Sequence, residues 1–154
     1  MTYQEYTKQR QDEFNALPIF WAFSNEQFEK GMESLGLTVN DTDKIYKMQG
    51  GGFYRKSDSP LIKAWIDADN LDDLMTDYEF AKDAIYYEMC NHEYGINWQA
   101  DWDVMSCFGC VKYTDAPDDL NQYWDALQWS NVQRKAYLDA RREYFRQAEE
   151  NDWF

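Results

Sequence analysis

The stretch DYEFAKDAIYYEMCNH, residues 77–92, carries the strongest secondary-structure signal in the chain. Its apolar residues recur three or four positions apart, which is the spacing that places side chains on one face of an α-helix. These residues are Tyr78, Ala81, Ile85 and Met89. The stretch therefore predicts a helix with one buried face.

Further helices are predicted on both sides of this one. Thr2 with Glu5 and Ser24 with Gln27 have the spacing of a capping box, in which two side chains satisfy the first backbone amides of a helix. Ser130 is placed to cap a last helix that reaches about residue 150, and another helix is expected over 118–127.

Two segments predict β-structure. Residues 45–48 and 53–56 flank Gln49 and three glycines, which is typical of a hairpin. Residues 95–114 favour a second β unit, with candidate strands at 96–98 and 104–113. The fold predicted is α+β: one mostly helical domain over residues 1–154 with a small antiparallel sheet.

The composition bounds the class of protein. With 154 residues, 44% of them hydrophobic and 18% aromatic, the chain can bury a core and is unlike a disordered acidic tail. Three cysteines are an odd number, which argues against a disulfide framework and for a reducing cytoplasm. We expect no secretory signal and no membrane-spanning helix, because no long apolar run is present.

The acidic charge is concentrated in one third of the chain. The formal net charge is −14, and residues 67–125 hold 15 acidic residues against only 2 basic ones. Acids and bases nearly balance in residues 1–66, with 9 and 8, and balance in residues 126–154, with 5 of each. This excess of negative charge argues against direct binding to nucleic acids or anionic membranes, which are held by lysine and arginine.

Four stretches together carry a resemblance to a known group of proteins. They are residues 16–36, which begin Ala-Leu-Pro-Ile-Phe, residues 50–58 (GGGFYRKSD), residues 92–97 (HEYGIN) and residues 136–142 (AYLDARR). The chain resembles small acidic proteins of unknown function carried by phages and mobile elements of Gram-positive bacteria. The resemblance implies no catalytic residues. It implies a setting in the bacterial cytoplasm, where small acidic proteins are often anti-restriction or anti-CRISPR inhibitors.

The acidic segment, residues 67–125, predicts a surface that imitates a phosphate backbone. Asp69, Asp73 and Asp77 recur every four residues, and on a continuous helix they would line one face. Such a surface would occupy the basic groove of a nucleic-acid-binding protein, such as a CRISPR effector or a restriction enzyme. The alternative is that the charge only aids solubility. The predicted contact residues are Asp69, Asp72, Asp73, Asp77, Asp83, Asp101 and Asp103.

A zinc site is the alternative candidate, in a small structural or interaction module. Cys107 and Cys110 have the spacing of a zinc-binding pair, and Cys90 with His92 would complete four ligands. Cys90 and His92 are only two residues apart, and on one helix they would not share a face. The competing interpretation is three reduced thiols and a structural histidine, with no cofactor.

His92 is the single histidine of the chain, so most nucleophilic mechanisms would have to use it. No nucleophile elbow or phosphate-binding glycine motif accompanies it. We therefore expect a protein that is not an enzyme, with His92 at the end of the 77–92 helix, where the helix dipole favours a cation.

Overall fold

The computed structural model describes residues 1–116 and 119–154 and shows the predicted α+β class, mostly helical with a small antiparallel sheet. The helices are α1 (Tyr3–Asn15), α2 (Asn25–Ser34), α3 (Ser59–Asp67), α4 (Leu71–Leu74), α5 (Tyr78–Asn91), α6 (Ala100–Ser106), α7 (Leu120–Ala126) and α8 (Asn131–Glu150). The strands are β1 (Phe20–Trp21), β2 (Ile45–Met48) and β3 (Gly52–Arg55). Among the described residues, no helix has both the length and the apolar character needed to cross a bilayer.

The chain divides into two compact units. Unit 1 comprises Met1–Thr7 and Asn70–Phe154, and unit 2 comprises Lys8–Asp69.

Unit 1 is built on α5, the helix that the sequence predicted most strongly. Ala81, Ile85 and Met89 lie on its inner face with no exposed surface. Helix α8 contributes small residues to the same core, among them Ala136 and Ala140, which are also fully buried. Burying a large aliphatic side chain such as Ile85 stabilises the fold by about 1.5–3 kcal/mol, so this apolar face explains why α5 forms.

Unit 2 holds the sheet, with strand order β1-β3-β2 and antiparallel pairing throughout. The pairing places Phe20 opposite Phe53, and their rings stack with centroids 5.2 Å apart. Met32 of α2 is fully buried in the same cluster. The predicted hairpin is thus present, with Gly50 and Gly51 in its turn at positive φ.

The predicted helix caps are also present. The Ser24 side chain accepts a hydrogen bond from the Gln27 backbone amide at 3.2 Å, at the start of α2. Thr2 and Glu5 exchange two bonds at the start of α1, at 2.8 and 3.1 Å. Ser130 caps α8, which ends at Glu150 as expected. These caps bind backbone amides that the start of a helix leaves without partners. Local sequence is therefore enough to predict where these helices begin.

The prediction of a second β unit over residues 95–114 is wrong. This segment contains α6, and the strands that the structure describes all lie in unit 2. Ala100 and Val104 are buried four positions apart, which is the spacing of one helix face, and the adjacent Met105 is buried as well. The helix expected over 118–127 is present as α7, but its predicted start near Asp118 lies outside the described residues.

Candidate functional site

The last turn of α5 and the end of α6 bring three metal-ligating side chains together. Glu88 lies in the last turn of α5, His92 four residues later is the C-cap of that helix, and Cys107 directly follows α6. Cys107 Sγ lies 3.0 Å from Glu88 Oε2 and 3.4 Å from His92 Nε2, and Glu88 Oε2 lies 3.3 Å from His92 Nε2. We call these three residues the Glu-His-Cys cluster.

Glu88 is a buried carboxylate with a donor on each oxygen. The Tyr3 hydroxyl donates to Oε1 at 3.1 Å, and the Cys107 thiol donates to Oε2. Burial raises the pKa of the Tyr3 phenol, and the neighbouring Glu88 carboxylate raises it further. Tyr3 therefore stays protonated and holds Glu88 in place, which matters because a buried carboxylate is costly without such partners.

The Cys107 thiol is poorly suited to attack on a substrate. Burial raises its pKa, and the adjacent Glu88 carboxylate raises it further. A thiol that stays protonated is a poor nucleophile unless a metal or another cation stabilises the thiolate.

The orientation of His92 does not match a nucleophile–base–acid chain. In such a chain the nucleophile and the carboxylate contact opposite ring nitrogens of the histidine. Here Cys107 and Glu88 both lie against Nε2. The three ligand atoms therefore surround one point between the side chains, as the ligand atoms of a metal chelate do.

The predicted four-residue zinc set is not brought together. Among residues 1–116 and 119–154, the Glu-His-Cys cluster is the one group of three or more Cys, His, Asp or Glu residues whose ligand atoms all lie within 4.8 Å of one another. Cys90 instead hydrogen-bonds Tyr86 and lines an apolar cavity with Trp153. Cys110 is exposed and is not part of this cluster. Sequence spacing paired Cys107 with Cys110 and Cys90 with His92, whereas the structure brings His92 and Cys107 together with Glu88. Glu88 was missed, although its four-residue spacing from His92 was a usable signal.

The acidic residues do not form the continuous helical row that was predicted. Asp69 follows the end of α3, Asp73 belongs to the short α4, and Asp77 caps α5. The helical segments are therefore interrupted twice between these aspartates, and the assumed spacing along one face is wrong.

Two of the predicted contact residues are engaged inside unit 1. Asp101 is only 6% exposed and accepts hydrogen bonds from the Tyr94 and Tyr137 hydroxyls, at 2.5 and 2.6 Å. It cannot touch a partner in this conformation, so Asp101 does not belong to the predicted contact surface. Asp103 is half-buried and accepts from Asn97 at 2.6 Å.

The other predicted contact residues are exposed. Asp77 accepts from the Phe80 amide at 2.9 Å and Asp83 from the Tyr3 amide at 3.1 Å, so both also stabilise helix starts. Asp72 and Asp73 lie on α4, and among the described residues they make no ion pair. Asp69 is exposed as well.

Helix α8 differs because it pairs three of its four acids with its own bases. Asp139 contacts Lys135 and Arg142 at 2.6 and 3.0 Å, and Arg146 contacts Glu143 and Glu150 at 2.6 and 2.7 Å. Most of the uncompensated carboxylates of unit 1 therefore lie outside α8, and residues 72–83 hold five of them. We call the exposed carboxylates Asp72, Asp73, Asp77, Glu79 and Asp83 the 72–83 acidic patch.

A family model provides the match to known proteins. It covers residues 2–130, which include the Glu-His-Cys cluster and the 72–83 acidic patch and stop where α8 begins. Comparison with curated proteins and with solved structures gave no match. Because the matched residues make up most of the chain, the protein belongs to the family of unknown function DUF7659.

Proposed function

We propose that this protein is a non-enzymatic inhibitor that binds a basic nucleic-acid-binding protein, of the CRISPR-effector or restriction-enzyme type, through its acidic surface. The observation that carries this proposal is the 72–83 acidic patch. It holds five exposed carboxylates, and Lys82 is the one base within the same residues.

The charge of the patch is available to a partner. Lys82 lies close enough to Glu143 of α8 to help lower the pKa of that carboxyl, after the larger effects of Arg146 and Gln147. Asp72, Asp73 and Glu79 make no ion pair among the described residues. Unpaired surface carboxylates attract a cationic groove over about one Debye length, and this attraction speeds association.

Part of the patch, Asp77, Glu79 and Asp83, also lies on a helix that is packed into the core. Asp77 is the N-cap of α5, and Phe80 and Ala81 in its first turn are buried. Carboxylates on a packed helix start keep their spacing when a partner approaches, so less side-chain and backbone entropy is lost on binding.

The experiment is a charge reversal with a matched control. The test variant carries Asp72→Lys, Asp73→Lys and Glu79→Lys. The control variant carries Glu29→Lys, Glu33→Lys and Glu149→Lys, which are exposed and make no ion pair among the described residues. Both variants change the net charge equally, so they separate the patch from overall charge.

Each protein is immobilised and exposed to bacterial lysate at low and high salt, with and without competing duplex DNA. We expect the parent and the control variant to retain a nucleic-acid-binding protein at low salt, and DNA or high salt to release it. The test variant should lose this capture and should no longer inhibit the captured protein's binding to DNA. Equal capture and inhibition by the test variant and the parent would refute the proposal.

A further inference from the structure

We propose that Glu88, His92 and Cys107 form a zinc site with three protein ligands and an open fourth position. This inference does not rest on the proposed inhibitor function, and it uses residues outside the 72–83 acidic patch.

The distances agree with tetrahedral coordination. Zinc bonds of about 2.0 Å to oxygen and nitrogen and about 2.3 Å to sulfur imply ligand–ligand edges of roughly 3.3–3.6 Å in a tetrahedron. The three observed separations are 3.0, 3.3 and 3.4 Å. A small outward rotation of the Cys107 side chain would open the shortest edge to the required length.

The types of ligand atom in the cluster favour zinc. One carboxylate oxygen, one imidazole nitrogen and one thiol sulfur suit zinc, whereas calcium and magnesium prefer oxygen ligands alone. On binding, the Cys107 sulfur forms a bond to Zn²⁺ and its proton leaves to solvent. The thiol–carboxylate hydrogen bond is then replaced by coordination of both groups to the same ion.

The surroundings support the site. Metal-ligating groups in proteins are usually oriented by an outer partner, and the Tyr3 hydroxyl fills this role by bonding the Glu88 oxygen that faces away from the cluster. The side chain of Glu88 is 9% exposed, whereas that of His92 is 32% exposed. His92 therefore lies on the open side, where a metal can enter and where water or a fourth ligand can bind.

The test uses cobalt as a spectroscopic probe. The full chain is reduced, treated with a chelator, freed of it and titrated with Co²⁺. We expect a thiolate-to-cobalt charge-transfer band and the intense visible bands of four-coordinate cobalt, saturating at one equivalent and lost when Zn²⁺ is added. We also expect the chelator-treated protein to melt at a higher temperature once zinc is restored.

Variants separate this site from its alternatives. Cys107→Ser should abolish the charge-transfer band, and His92→Gln, at a partly exposed position, should weaken cobalt binding while the near-UV circular dichroism stays native. Cys90→Ser and Cys110→Ser are matched cysteine controls and should bind cobalt as the parent does. Tyr3→Phe should weaken binding about 10–100-fold, as outer-partner changes do.

Two results would overturn the inference. One is the absence of a charge-transfer band in the parent protein under reducing conditions. The other is a band that survives Cys107→Ser or disappears with Cys90→Ser or Cys110→Ser, because the metal would then be held by other thiols.

Discussion

Tyr3 and Glu88 are 85 residues apart, yet the Tyr3 hydroxyl donates a buried hydrogen bond to Glu88 Oε1 at 3.1 Å. This bond joins the first turn of α1 to the last turn of α5. It gives the buried carboxylate a donor besides the Cys107 thiol. A single residue near the N-terminus therefore supports both the packing of unit 1 and the candidate metal site.

Replacing this phenol by phenylalanine tests its structural contribution. Tyr3→Phe keeps the ring that packs against Phe80 but leaves Glu88 Oε1 without its donor. We expect the free energy of unfolding, measured by urea denaturation, to fall by about 1–3 kcal/mol. Tyr87→Phe, at a residue that is 38% exposed, is the control and should change this free energy by less than about 0.5 kcal/mol. Equal effects of the two variants would contradict this role for Tyr3.

Asp101 is expected to be a structural residue. Its carboxylate accepts from Tyr94 and Tyr137, both buried, so Asp101→Ala would remove the charged acceptor that these two hydroxyls share. We predict a loss of about 2–4 kcal/mol of unfolding free energy, with Asp101→Asn less costly because the amide oxygen still accepts. Asp103→Ala, two positions along the chain, should lower the unfolding free energy by less than either Asp101 variant does. A folded Asp101→Ala protein of parental stability would refute the prediction.

Capping signals made the helix starts predictable from sequence. Ser24 and Ser130 determine the starts of α2 and α8 through bonds to residues only three positions away, so no knowledge of the tertiary fold was needed. Helix α6 lacks such a signal, since Gln99 provides no side-chain cap, and it has only 7 residues. Its buried Asp101 also interrupts the apolar pattern, which explains why this segment resembled β-structure.

Only part of the candidate site could be predicted from the sequence, because the rest depends on tertiary packing. Spacing alone identified His92 and Cys107 as ligand types but favoured Cys90 and Cys110 as their partners. Glu88 took that place because it lies one helical turn before His92, whereas Cys90 points to another face of α5. Which face of α6 turns toward α5 is decided by tertiary packing, and sequence spacing does not contain that information.

The three cysteines should differ in reactivity. Cys90 and Cys110 are exposed, whereas Cys107 is half-buried and its pKa is raised by burial and by Glu88. Since the thiolate is the reacting form, iodoacetamide should modify Cys107 last in the metal-free native protein. Peptide mass spectrometry over time measures the order. In denaturant the three rates should converge, and a fast-reacting Cys107 in the native state would contradict the geometry.

Gly31 should be intolerant of any side chain. A Cβ atom at this position would lie 2.0 Å from Phe20 Cδ2, inside the core of unit 2. Overpacking of this kind costs about 1–3 kcal/mol, so Gly31→Ala should lower the urea midpoint and alter the near-UV circular dichroism. Glu33→Ala, on the exposed side of the same helix, is the control and should change neither. A native spectrum and midpoint for Gly31→Ala would show that Phe20 can move aside.

The pH dependence of stability should include a contribution from Glu143. Its hydrogen bonds with Arg146 and then Gln147 lower its pKa from 4.5 to about 2. The folded state therefore favours the carboxylate, and the resulting stability is present above pH 4.5 and is lost as the pH falls toward 2. Glu143→Gln should lose less stability than the parent across this window, as measured by urea denaturation at its two ends. Because the pair is on the surface, the difference should shrink in high salt, and identical pH profiles of parent and variant at low salt would show that the pair contributes nothing.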